Sequence, residues 1–97
     1  LAAATQQPFV ERGDRAMQLQ DFQGAIDAYN FGIAADPDEH GPLTATLLWG
    51  RGRAHHGLGE AKQARVDVNR AIALAPPGTP WLAEAKALLA KLPKPAP

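Results

Sequence analysis

Apolar and polar residues follow one another along this chain with the period of an α-helix, in five stretches divided by turn-forming residues. Phe9, Gly13, Ala16 and Leu19 recur at three- and four-residue steps, and so do Phe22, Ala25, Ile26, Tyr29, Gly32 and Ile33. Leu47, Leu48, Gly52 and His55 share one side of a third stretch, and Ala61, Ala64, Val68, Ala71 and Ile72 mark a fourth. Such spacing lays one apolar stripe along each helix, to be buried against a neighbour.

The breaks set the bounds. Pro8 suits a first turn, where no amide donor is needed. Asp21 is placed to cap a second helix, and Pro37 ends it. Gly57-Leu58-Gly59 makes a turn, Pro76-Pro77-Gly78 stops the fourth helix, and Thr79-Pro80 reads as a cap followed by a first-turn proline. The pattern predicts helices over 7–18, 22–35, 43–56, 60–74 and 80–91, with no strand and with flexible ends at 1–5 and 92–97. Short connectors make successive helices antiparallel.

The same pattern is written twice. Arg12, Gly13, Leu19, Ala25, Ile33, Ala34 and Pro37 recur 39 positions later as Arg51, Gly52, Leu58, Ala64, Ile72, Ala73 and Pro76, with Asp21 replaced by Glu60. Units of this kind bury their apolar faces only by stacking on one another. Gly13 and Gly52, with Ala25 and Ala64, are the small residues that let paired helices approach.

Composition narrows the function classes. At 97 residues there is room for one domain. Richness in Ala favours helix. Neither Cys nor Ser occurs, which removes the commonest nucleophiles and any thiolate metal site, and no phosphate loop or convergent acid–base pair is present. An enzyme is therefore not expected, and neither is a cofactor. The formal net charge is +0, so nothing favours nucleic acid, and no apolar run is long enough to span a membrane. A chain without Cys suits cytoplasm and periplasm alike. The opening Leu-Ala-Ala-Ala fits the end of a processed signal as well as any other start point.

These residues resemble the tetratricopeptide repeat (TPR) family, whose signature runs from an early aromatic through a Leu-Gly pair and a tyrosine to Ala, an aromatic and a closing Pro. Phe9, Gly13, Phe22, Ala25, Tyr29, Ile33 and Pro37 match in the first copy. In the second the matches are Leu48, Gly52, Leu58, Gly59, Ala64, Ala71, Ile72 and Pro76. There are departures. Arg12 and Arg51 replace the usual Leu, Ala16 and His55 replace a tyrosine, and Gly32 replaces Ala. The repeat distance exceeds the family's period of about 34 residues, an excess assigned to the connector around His40-Gly41-Pro42. The resemblance implies an all-α domain over 6–91: two antiparallel helix-turn-helix units at about 6–39 and 45–78, and a capping helix at about 80–91. That is a fragment of an α-solenoid.

The resemblance further implies a concave groove lined by the first helix of each pair, which binds a peptide-like segment of a partner protein. Carried over residue by residue, the groove receives Val10, Glu11, Asp14 and Met17 from helix one. Helix three adds Trp49, Arg53 and His56, with Thr46 and Gly50 beside them, and helix five adds Glu84 near Ala87 and Lys91. Trp49 is the expected apolar anchor, since a large aromatic on a binding surface is a common hot spot; packing against helix one or five is its alternative. Val10, Asp14 and Gly50 stand where some TPR domains carry the basic and Asn residues of a carboxylate clamp. With Glu11 and Asp14 on one wall, a ligand bearing Arg or Lys beside an apolar residue is expected instead.

Three further expectations concern structure. Arg51 should pair with Asp67, and Arg12 lies near the interior with Asp27 as its possible partner. His55 and His56 are adjacent on a helix and diverge, so no metal site is expected from them. The alternative to a partner-binding adaptor is self-assembly into homo-oligomers, through the edge of the array, the Pro-rich tail or an exposed Trp81.

Overall fold

The computed structural model describes residues 2–94. Leu1 and residues 95–97, assigned above to the chain ends, lie outside the described residues. Five helices follow in order: α1 (Ala2–Gln18), α2 (Phe22–Ala34), α3 (Thr44–Gly57), α4 (Ala61–Leu74) and α5 (Leu82–Lys91), with no strand among the described residues. Each helix packs against the next, and α1 also meets α3. Neighbours run antiparallel: Phe22, Tyr29 and Gly32 of α2 meet Gly57, Gly50 and Leu47 of α3 in reverse order.

Two ends differ from expectation. α1 starts at Ala2 instead of residue 7, so Pro8 lies inside the helix. Ala2, Ala3 and Ala4 are strong helix formers, and Gln6 ties this extension down. Its side chain is fully buried and donates to the Gly32 carbonyl (3.2 Å) and to Thr44 Oγ1 (2.7 Å). At the other end, Thr79 is not a helix cap. Its hydroxyl donates back to the Pro76 carbonyl (2.6 Å), closing a turn, and α5 starts only at Leu82. Leu92, expected in a loose tail, is buried. Arg65 of α4 holds that end by donating to the carbonyls of Leu92 (2.6 Å) and Pro93 (2.9 Å).

The two hairpin turns show how one pattern yields two solutions. Asp21 caps α2 as expected, its carboxylate accepting from the Gly24 amide at 3.0 Å. Glu60, its counterpart, makes no such cap; its Oε1 lies 2.8 Å from His55 Nδ1. Gly59 adopts φ 76°, a left-handed conformation natural to glycine, whereas the equivalent Gln20 holds φ 58° with a side chain attached.

The core has two parts. Val10, Ala25, Ile26, Tyr29, Leu47 and Ala54 pack between α1, α2 and α3. Leu48, Trp49, Val68, Ala71 and Ala85 pack between α3, α4 and α5. Tyr29 joins α2 to both neighbours. A Cβ placed on Gly13 would lie 2.1 Å from Tyr29 Cε1, and one on Gly50 would lie 2.5 Å from Tyr29 Cζ. Gly50, expected on the groove, is thus buried against this ring. Gly52 performs the small-residue role in the second hairpin, where its Cβ would meet Val68 Cγ2 at 2.8 Å.

Asp36 fixes the connector between the hairpins. Its carboxylate accepts from the Thr44 hydroxyl and from the amides of His40 (3.1 Å) and Gly41 (2.7 Å). The Thr44 hydroxyl, helped by these two amides, holds the Asp36 carboxyl below its usual range against the opposing effect of burial. Arg70 of α4 grips the same connector through Glu39.

Candidate functional site

One hollow of about 520 Å³ opens between the end of α1, the start of α2, α3 and α5. Met17, Phe22, Trp49, Arg53, His56, Gly57, Glu84, Ala87, Leu88 and Lys91 line it. Its shape follows from the helix pattern. Gly57 admits Phe22, since a Cβ there would lie 2.6 Å from the Phe22 ring. The small side chain of Ala87 leaves space on the α5 wall.

Trp49 forms the inner wall. It is only 5% exposed, stacks on Trp81 with ring centroids 5.7 Å apart and planes 15° apart, and belongs to the second core cluster. The indole of Trp81 donates to Thr46 Oγ1 at 3.3 Å, so this ring is engaged inside the molecule. Arg53 lies over Trp49 with its Cζ 5.1 Å from the ring centroid. The Arg53 Nε is buried with no hydrogen-bond partner. Trp49 is therefore a core residue, the alternative weighed from sequence, and part of its surface borders the hollow.

A second, smaller hollow lined by Asp14, Met17, Gln18 and Arg53 adjoins the first, with Met17 and Arg53 common to both. Here Asp14 accepts a 2.6 Å hydrogen bond from the Tyr29 hydroxyl. Burial, reinforced by the hydrogen bond to Asp14 and its negative charge, raises the Tyr29 phenol well above its ordinary pKa of 10.0. The hydroxyl is thus held neutral as a donor.

Of the eight residues carried onto the groove, Met17, Trp49, Arg53, His56 and Glu84 line the large hollow, and Asp14 lies in its neighbour. Val10 and Glu11 go elsewhere. Val10 is buried in the first core cluster, because helical spacing turns it onto the face that meets α2 and α3. Glu11 is exposed, accepts from Gln7 Nε2 at 3.3 Å, and shares a different pocket with Pro8, Arg12 and Arg15. Phe22, read from sequence as part of the apolar stripe of helix two, Gly57, read as a turn, and Leu88, not singled out, complete the wall. Only the folded chain brings these three to the hollow.

Several charged residues outside the hollow are engaged within the fold. Arg51 binds Asp67 through two parallel 2.8 Å bonds and reaches Asn30 of the first hairpin at 2.9 Å, as a planar guanidinium can. Arg12 does not lie near the interior. Its counterpart of Asp67 is Ala28, which offers no carboxylate, and the exposed guanidinium covers the Phe9 ring at 5.3 Å. Asp27 pairs instead with Gln23 at 3.0 Å. His55 turns to Glu60 and Asp67 while His56 faces the hollow, so the two histidines diverge. Among the described residues no helix is long and apolar enough to cross a membrane.

Comparison of the chain with family models, curated proteins and solved structures returned no match.

Proposed function

We propose that this chain is a protein–protein interaction module of TPR type, with two helical hairpins and a capping helix, and that it holds a peptide-like segment of a partner in the hollow between α1, α3 and α5. One observation carries this reading. Five residues that the resemblance puts on the groove line a single hollow, although they come from three separate helices. Its volume lies within the roughly 300–1,000 Å³ typical of ligand pockets, and it combines an aromatic and aliphatic wall with a few polar groups at its rim.

The test is selection from a random peptide library on the immobilised chain, followed by competition with variants. Trp49→Ala is unsuitable because it removes a core residue. Ala87→Arg fills the hollow from an exposed helical position and should abolish binding of the selected peptides, whereas Asn30→Ala, on another surface, should not. Peptides that bind both variants equally would place the interaction elsewhere.

Self-assembly is the second reading, favoured by one observation: Phe31, 66% exposed, stacks on Phe9 at 5.7 Å. A mass from light scattering that doubles with concentration, and returns to one copy in Phe31→Ser, would support it.

A further inference from the structure

The hollow has a charge character opposite to the one expected from Glu11 and Asp14. Glu11 is absent from it, and Asp14 lies outside it, in the neighbouring depression that Arg53 also borders, with its carboxylate on the Tyr29 hydroxyl. The large hollow itself is lined by the permanent cations Arg53 and Lys91 and by His56, against the lone carboxylate of Glu84. Glu84 and Lys91 are exposed on α5, where water screens them. Arg53 differs. It is half-buried, makes no ion pair among the described residues, and keeps a buried Nε without an acceptor.

A cation–π contact, with Cζ 5.1 Å from the ring centroid, holds that guanidinium over Trp49. A guanidinium is a planar fork that can match a carboxylate with two parallel hydrogen bonds. Met17 reaches both depressions and Phe22 and Leu88 flank the larger one, so an apolar surface adjoins the cation.

We infer that the hollow selects an acidic–apolar stretch of a partner protein: a carboxylate binds the Arg53 guanidinium while a bulky apolar side chain one or two residues away fills the space beside Met17, Phe22 and Leu88. This rests on the hollow being the peptide site proposed above. Arg53 sets the charge preference, and the Trp49–Trp81 stack holds Arg53 in place.

The library selection described above supplies the probe. The selected peptides should be enriched in Asp or Glu next to Leu, Ile, Phe or Met. Replacing the acidic residue of one such peptide by its amide should weaken binding to the unaltered protein about thirtyfold, the scale of losing one partner of a desolvated charge pair. Arg53→Gln should weaken the acidic peptide equally and leave the amide peptide unchanged, and Arg53→Lys should restore only part of the loss. Binding should also weaken as salt is raised. The peptide-side substitution needs no altered protein, so it stands even if an Arg53 variant misfolds. Selected peptides that are basic or uncharged, or that tolerate the amide, would overturn this inference alone. A selection that returns no peptide would overturn the binding reading with it.

Discussion

Replacing Gly13 by Ala tests the packing that positions the whole site. The added methyl would sit 2.1 Å from Tyr29 Cε1 and 2.5 Å from Cδ1 and Cζ, far inside the roughly 3.5–4.0 Å at which carbon atoms rest. The ring has little room to yield, because it is also in contact with the Gly50 backbone and its hydroxyl is fixed on Asp14. Overpacking a core methyl costs about 1–3 kcal/mol, and a contact this short belongs at the top of that range. Ala in place of helical Gly returns about 1 kcal/mol of propensity. The net loss should be about 1–2 kcal/mol, or a fall in Tm of roughly 5–15 °C for a domain of this size. Thermal and urea unfolding followed by circular dichroism measure it. In a Tyr29→Leu background the penalty should shrink, giving a coupling of about 1 kcal/mol in a double-mutant cycle. A Gly13→Ala protein as stable as the parent, or more stable, would refute the account of how α1, α2 and α3 meet.

Three other outcomes follow from the same structure. Arg51→Met should destabilise by about 2–3 kcal/mol, since it strands the buried Asp67 carboxylate with only His55 nearby, while Arg12→Met should change stability by less than about 0.5 kcal/mol; urea unfolding compares the two. Gln20→Gly should stabilise by about 0.5–1 kcal/mol, because it supplies at Gln20 the residue that Gly59 provides in the second copy, and an unchanged or lower urea midpoint would count against this. Tyr29, the single tyrosine, should resist ionisation in the folded chain. The unfolded phenol releases its proton near pH 10 and the folded one only above that, so stability is intact below that pH and falls as pH rises beyond it. Tyrosinate absorbance should appear together with the loss of helical circular dichroism, and ionisation in a fully helical protein would contradict the buried hydrogen bond to Asp14.

The helices were legible because apolar spacing and breakers are local signals. Asp21, Pro37 and Gly59 act where the sequence places them, and the Arg51–Asp67 pair follows from matching two faces of one hairpin. Where two copies of one pattern diverge, the reason lies outside the pattern. Arg12 reads like Arg51, yet Ala28 in place of an aspartate sends it to the Phe9 ring. Pro8 looks like a helix start, yet the buried hydrogen bonds of Gln6 to Gly32 and Thr44, 26 and 38 positions away, favour a longer α1. The candidate site was legible in part through the resemblance, which puts Met17, Trp49, Arg53, His56 and Glu84 on one groove; helical phase alone does not separate Val10, which meets α2 and α3, from Met17 one heptad on. Nor does it reveal that Asp14 turns to the Tyr29 hydroxyl in a neighbouring depression, leaving Arg53 and Lys91 against Glu84 in the larger one.

The central claim, that the hollow between α1, α3 and α5 is where this chain meets its partner, is tested most directly by two-dimensional amide NMR during titration with a selected peptide. The largest shifts should fall on Met17, Arg53, Ala87 and Lys91 and on the indole N–H of Trp49, with Asn30, Phe31 and Val66 unmoved. Shifts concentrated on Phe31 and Val66, with the Trp49 indole and Arg53 silent, would contradict it.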